Sequence, residues 1–452
     1  MQRNDGVWQA MVLVLVLLVT VGIWLCLGAL LLRLREPAPA EAGPLAALSP
    51  DAGLVQILEP AAGAAVQRDG DLVVRAAVLE SGFLQADLVV DGYSAGVRVN
   101  LEPGAAPWLV EWRLETDIEG SHNLVVRAAD EENAWLASAP VTVTVVPRGR
   151  LIFASNREGA YALYAMNTDG SGLERLTAGP GTAQQPAPLS TFGGLAYVAE
   201  TASGGSLIRL RDAGPGSWAG GSERDLVAGW DPAWLPPAPG SAAVDEGEAT
   251  TAWLAYTASV DGLSQVFVLE VPGGEPQAVT GGSAATGGSE VVEYAGQPAW
   301  SPALAGQGPR LAYVVERERN SDIWVMPLSL DGPAEGGEAQ RLTDDPATDW
   351  APAWSPDGTR LAFVSDRGGS HQVYVVRADG GPGLEQLTDL GQGAEAPAWS
   401  PDGFWLAVVA YTGEGAGVER REIYLVRVDG RGAVRLTHNA FDDTDVTWAW
   451  EP

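Results

Sequence analysis

The chain has no lysine. All 27 of its Lys-or-Arg positions are arginine, set against 58 Asp and Glu, for a formal charge of −31. A surface of that sign repels phosphate backbones and excludes nucleic acid as a partner class. It suits basic partners, divalent cations or simple solubility. Cysteine is nearly missing as well: Cys26 alone permits no intramolecular disulfide. Histidine is scarce. His122, His371 and His438 lie far apart, and none pairs with Cys or another His at metal-ligand spacing. What the chain has in quantity is turn formers and tryptophan, with 56 Gly, 31 Pro and 17 Trp in 452 residues. Breakers spread along the whole length point to many short strands joined by turns. The length itself exceeds one ordinary domain unless that domain is built from repeats.

No charged residue occurs between Val7 and Leu32. The run MVLVLVLLVTVGIWLCLGALLL is long enough to cross a bilayer, for which about 20 apolar residues suffice. Trp8 stands near one end and Arg33 and Arg35 close the other. A cleaved signal peptide is the rival reading, since Ala38-Pro39-Ala40 resembles a cleavage site. Its apolar core, however, is usually about 7–15 residues, shorter than this run. The bulky Trp24-Leu25 before Cys26 argues against a lipoprotein. Charge at the two ends leans weakly toward a cytoplasmic C-terminal side, whereas the content of the following domains leans toward an extracytoplasmic one. We expect the latter. Residues 33–51, rich in Pro and Ala, read as an extended spacer.

From residue 52 to 147 the pattern changes to short alternating segments. Seven strand candidates fall at 54–58, 71–78, 84–92, 96–100, 108–114, 122–129 and 140–146. Seven short strands with turn signals between them suggest an antiparallel sandwich. Asp91-Gly92 marks a tight turn. The opening VQILEPAAGAAV, the central LVVDG and the late HNLVVRAAD resemble bacterial Ig-like domains. That resemblance implies a spacer or adhesive module.

Residues 148–452 carry a repeat. Strands LIF (151–153), LAY (195–197), LAY (254–256), LAY (311–313), LAF (361–363) and LAV (406–408) are each followed by a second strand. A third element ends in Leu-Thr or a variant at 175–177, 278–280, 341–343, 386–388 and 435–437, with DLV (225–227) in the second repeat. A fourth reads PAPLS, PAWLP, PAWSP, PAWSP, PAWSP and WAWEP. Six four-strand units with a period of roughly 45–60 residues are a propeller signature. Strands such as LAFV and VYVV are apolar on both faces, as blades packed between neighbours require. Trp234, Trp300, Trp354, Trp399 and Trp450 occupy one repeat position in this reading, where a large ring fills the gap between blades. The first unit lacks its fourth element and the last has a spare one, so DVTWAWEP (445–452) is expected to complete the first blade.

The stretch SPDGTRLAFVSDRGGSHQVYVVRADG (355–380) followed by LEQLT (384–388) resembles the repeat of TolB-like propellers. SPDGFWLAVVA (400–410) and SNREGAYALYAMNTDG (155–170) add to it. The second repeat is the poorest copy. The resemblance implies a six-bladed propeller whose channel mouth docks a partner peptide. The expected fold class is all-β, an Ig-like β-sandwich then a six-bladed β-propeller, with one N-terminal transmembrane helix.

A catalytic constellation is hard to find. Gly92-Tyr93-Ser94-Ala95-Gly96 fits the G-x-S-x-G pattern of hydrolases, but it joins two strands of the sandwich with no helix after it. The Asp-Gly pairs at 169–170, 261–262, 331–332, 379–380 and 429–430 do not complete a calcium loop and read as turns. One cluster remains. The loops entering the PAW strands carry Asp344, Asp345, Asp349, Glu395, Asp442, Asp443 and Asp445, with Asp231 in the second repeat. Converging at one mouth, they would form a negative funnel for a cation or a basic peptide. We expect a membrane-anchored, extracytoplasmic binding or scaffold protein with no catalytic residues, whose partner is a protein or peptide of basic character. Calcium or another divalent ion is the only cofactor these loops suggest. The alternative is a propeller lyase or hydrolase using metal-assisted carboxylates at the mouth.

Overall fold

The computed structural model describes residues 53–449 except 103–105, 117, 179–180, 190–193, 202, 213–220, 237–250, 282–293, 304–307, 333 and 414–419. The expected anchor (7–32) and spacer (33–51) lie outside the described residues. Among the described residues there is no helix, hence none long and apolar enough to cross a membrane. The chain divides into two compact units, Met1–Arg148 and Gly149–Pro452.

The first unit is built from two sheets. Strands Val55–Glu59, Asp71–Val78 and Trp108–Glu115 form one, with Asp71–Val78 in the middle. The other runs Ala64–Gln67, Val141–Val146, Gly120–Asp130, Phe83–Val90, Tyr93–Asn100, and the short Trp135–Ala137 pairs with Gly120–Asp130. Alternating residues of both sheets, such as Val74, Ala76, Leu88, Val90, Trp112, Leu124 and Val126, share one buried core. All seven strands read from the sequence are present; Ala64–Gln67 and Trp135–Ala137 are additional. Neither is long enough to show a period of its own. Asp91 and Gly92 both take left-handed backbone, with φ of 49° and 86°, as a two-residue hairpin turn demands. The G-x-S-x-G stretch therefore forms that turn and the outgoing hairpin strand, and Ser94 Oγ donates to Asp87 Oδ1 at 2.8 Å.

The second unit is a ring of six four-stranded blades. Their innermost strands, in blade order, are Asp443–Ala449, Ala183–Leu189, Trp230–Trp234, Tyr294–Trp300, Asp349–Trp354 and Ala394–Trp399. The last strand of the chain does close the first blade: Asp443–Ala449 pairs antiparallel with Arg150–Glu158, Trp448 opposite Leu151. The second blade, weak as a sequence copy, is a full four-stranded sheet. Its outer strand Glu223–Ala228 replaces the two- or three-residue outer strands of the other blades.

The repeat motifs have structural duties. The Thr of each Leu-Thr element turns its hydroxyl back on the blade. Thr177, Thr280, Thr343, Thr388 and Thr437 accept the backbone N–H of Leu163, Val266, Ile323, Val373 and Ile423 at 2.8–2.9 Å. The Trp of the PAW element reaches across to the preceding blade. Trp234, Trp354, Trp399 and Trp448 donate Nε1–H to the carbonyls of Ala187, Ala299, Ala353 and Ala398 at 2.9–3.1 Å. This corrects the sequence alignment at the end of the chain. Trp448, not Trp450, holds the repeat position, because the last element aligns as Asp445-Val446-Thr447-Trp448 against Ala396-Pro397-Ala398-Trp399. Two seams lack the tryptophan clasp. Pro188 occupies its position in the second blade, and Trp300 Nε1 in the fourth is buried with no partner.

Candidate functional site

Each innermost strand carries a bulge near the end from which it enters. The register slips at the same place in all six, and one residue there turns left-handed: Gln185, Asp231, Gln297, Ala351, Ala396 and Asp445, with φ between 50° and 53°. For residues other than glycine this backbone costs roughly 1–2 kcal/mol each. In return the backbone at these positions is able to bond across the ring.

Four of them find partners on the preceding blade. Gln185 N donates to Asp445 Oδ2 at 3.1 Å, and Asp231 N to Gln185 Oε1 at 3.0 Å. Gln297 N donates to Thr257 Oγ1 at 3.1 Å, whose hydroxyl donates in turn to Asp231 Oδ2 at 3.1 Å. Ala351 N donates to Gln297 Oε1 at 2.8 Å. Gln185 Nε2 completes a two-bond pairing with Asp231 by donating to Oδ1 at 2.7 Å. This polar ring laces the first five blades. It covers the two seams that lack a tryptophan clasp, and the clasps cover the two seams beyond Ala351 where the ring has no side chain to offer.

The ring walls a cavity of about 340 Å³ that opens at the mouth and is lined also by Trp350, Glu395 and Thr444. A second of about 370 Å³ lies along the same inner strands, among the following prolines, alanines and tryptophans. Trp350 is braced edge-on by His371, ring centroids 4.7 Å apart. On the sixth blade, Glu395 accepts the Tyr411 hydroxyl at 2.7 Å and lies 3.2 Å from Arg421 Nε.

The eight acidic residues expected at the mouth separate into three groups. Asp231, Glu395 and Asp445 line the cavity. Asp349 and Asp443 are fully buried in ion pairs, with Arg367 at 2.8 Å and Arg157 at 3.0 Å. These are matching copies: each arginine also donates to a serine, Ser365 or Ser155, and lies over a stacked Phe–Tyr pair. Asp344, Asp345 and Asp442 serve their loops. Asp344 is exposed beside Arg341, Asp345 caps the N–H of Ala347, and Asp442 accepts the N–H of Arg421.

Asp231 and Asp445 are half-buried and differ from the buried acids. Asp87, Asp322, Asp349, Glu422 and Asp443 each have an arginine within 3.1 Å. Asp231 and Asp445 are held by neutral donors, Gln185, Thr257 and Thr444. Burial pushes the Asp231 carboxyl up to about 6 and raises that of Asp445 as well. Among the described residues, no three His, Cys, Asp or Glu side chains are grouped to hold a metal ion. The ring glutamines, Trp350, Tyr411 and Arg421 were not singled out from sequence. The recurring residue before each Pro-Ala was the only signal for the glutamines.

The family model of the TolB beta propeller domain matches residues 283–393. Among solved structures, TolB from Acinetobacter baumannii is similar at 18% identity over 74% of this chain and 80% of its own, with a TM-score of 0.50. Putative TolB from Agrobacterium tumefaciens is similar at 22% identity over 64% of this chain and 89% of its own, TM-score 0.45. An oligogalacturonate lyase from Vibrio parahaemolyticus is more distant, at 12% identity over 64% of this chain and 74% of its own, with a TM-score of 0.39. No curated protein matches the chain. The second unit is an all-β propeller of TolB-like fold. At these identities the likeness speaks to the fold alone.

Proposed function

We propose that this is a membrane-anchored binding protein of the cell envelope. Residues 7–32 anchor it, 33–51 and an Ig-like first unit hold it off the membrane, and the propeller stands outside the cytoplasm. The mouth of its channel docks a partner polypeptide through basic groups. A protein-interaction role is consistent with the TolB-like fold. The observation that carries the docking site is the pair Asp231 and Asp445. They are two half-buried carboxylates with no arginine in contact, at an open cavity, in a molecule that gives its fully buried acids an arginine. Donor groups from a partner, cationic ones among them, supply what the chain does not. The lyase or hydrolase alternative has no supporting observation of its own.

The test is capture from envelope extract by the full chain in detergent, with wild type compared with the Asp231→Asn/Asp445→Asn double variant. Loss of one partner on substitution, together with its release from wild type by high salt or excess basic peptide, supports the reading. Equal capture by both overturns it. Protease treatment of intact cells tests the orientation: cleavage of the propeller places it outside, and full protection contradicts that.

A further inference from the structure

Around the polar ring, the first and third blades present the same residue in the same conformation. Asp445 and Asp231 both have φ of 53°. Asp231 is met from the preceding blade by a carboxamide, Gln185 Oε1 taking its N–H at 3.0 Å and Gln185 Nε2 giving a proton to its Oδ1 at 2.7 Å. At the corresponding place before Asp445 stands Ala396, whose methyl group carries neither acceptor nor donor. Asp445 Oδ2 is used by Gln185 N, and its Oδ1 has only the distant Thr444 hydroxyl at 3.4 Å. The space a glutamine would fill belongs to the 340 Å³ cavity, bounded there by Trp350, Ala351, Glu395, Ala396, Thr444 and Asp445.

We infer that this place takes the side-chain carboxamide of an asparagine or glutamine brought by the docked polypeptide. Its oxygen accepts from Asp445 N–H and its amino group donates to Asp445 Oδ1, repeating the pairing that Gln185 makes with Asp231. A carboxylate would supply the acceptor but meet the charge of Asp445 and Glu395, and has no proton to give. The position one blade earlier does not qualify, because Ala396 carries a methyl group where Asp445 carries its carboxylate. The inference rests on the docking role of the mouth and adds the chemistry of one recognition pocket.

The experiment is a titration of the full chain in detergent at pH 7.5 with N-acetyl-glutamine methylamide and N-acetyl-glutamate methylamide, followed by ligand-observed NMR. Two hydrogen bonds at stake set the expected preference at about tenfold or more for the glutamine probe. The Ala396→Gln variant supplies the carboxamide from within. It should lower affinity for the glutamine probe at least about tenfold while raising the melting temperature, as a new ring bond would. No measurable binding by wild type, equal binding of both probes, or undiminished binding by Ala396→Gln overturns the inference. If partner capture depends on Asp231 and Asp445 but not on Ala396→Gln, the docking role stands and the carboxamide pocket falls. If capture depends on neither, the docking role falls first.

Discussion

Replacing Asp231 by asparagine separates the cost of a buried charge from the value of its hydrogen bonds. The Asp231 carboxyl titrates at about 6 because burial disfavours its charged form, against about 3.9 in an unfolded chain. The folded protein therefore binds a proton that the unfolded chain has released between these two values. The contribution of this carboxyl to stability is greatest below about pH 4, falls between about 4 and 6, and is level above that. Two pH units correspond to about 3 kcal/mol as an upper bound. Asp231 lines a cavity open to water, so about 1–2 kcal/mol is the reasonable expectation. Asparagine keeps the geometry: its oxygen accepts from Gln185 Nε2 and its amide faces the Thr257 hydroxyl. Asp231→Asn should raise the melting temperature at pH 7.5 by about 2–4 °C and match wild type near pH 4. The assay is thermal unfolding of the full chain in detergent across pH 4–8. A variant less stable than wild type at pH 7.5, with the pH profile unchanged, would refute the reasoning and make the carboxylate a net stabiliser.

Other substitutions test the seams and the blade motifs. Trp399→Phe removes an indole donor that reaches Ala353 O at 3.1 Å, whereas Trp300→Phe removes one that reaches nothing. The first should therefore cost about 1 kcal/mol more in chemical denaturation, and equal costs would contradict the clasp. Thr388→Val strands the Val373 N–H, bonded at 2.8 Å, and should cost about 1–3 kcal/mol, with faster hydrogen exchange at that amide. Asp349→Asn leaves the half-buried Arg367 without its counter-charge and should cost about 2–3 kcal/mol, while Asp344→Asn, on an exposed pair, should change stability by less than about 1 kcal/mol. Ending the chain after Asp443 removes most of the strand that closes the first blade and should abolish cooperative melting of the propeller; an unchanged midpoint would sink the closure.

The blades were legible in the sequence because their repeat is local: a strand, a turn and a strand, read by apolar runs and Pro-Asp-Gly. Closure was legible too, since one spare fourth element can complete only one blade. Trp450 stands in W-A-W where the other repeats read P-A-W, but the bulge sets the true count and puts Trp448 at the repeat position. The ring was illegible for a different reason. Gln185 and Asp445 are 260 positions apart and meet only when the propeller closes. Nor does a left-handed glutamine or alanine carry the sequence mark that a glycine would. Composition suggested one acidic funnel. The structure divides it, giving Asp349 and Asp443 to arginines and leaving Asp231 and Asp445 to neutral donors.

The most direct test of the account is capture of a partner by the propeller mouth at neutral pH. Wild type should retain from envelope extract a protein that the Asp231→Asn/Asp445→Asn variant, folded and at least as stable, does not retain. A variant that captures the same proteins in the same amounts would contradict it.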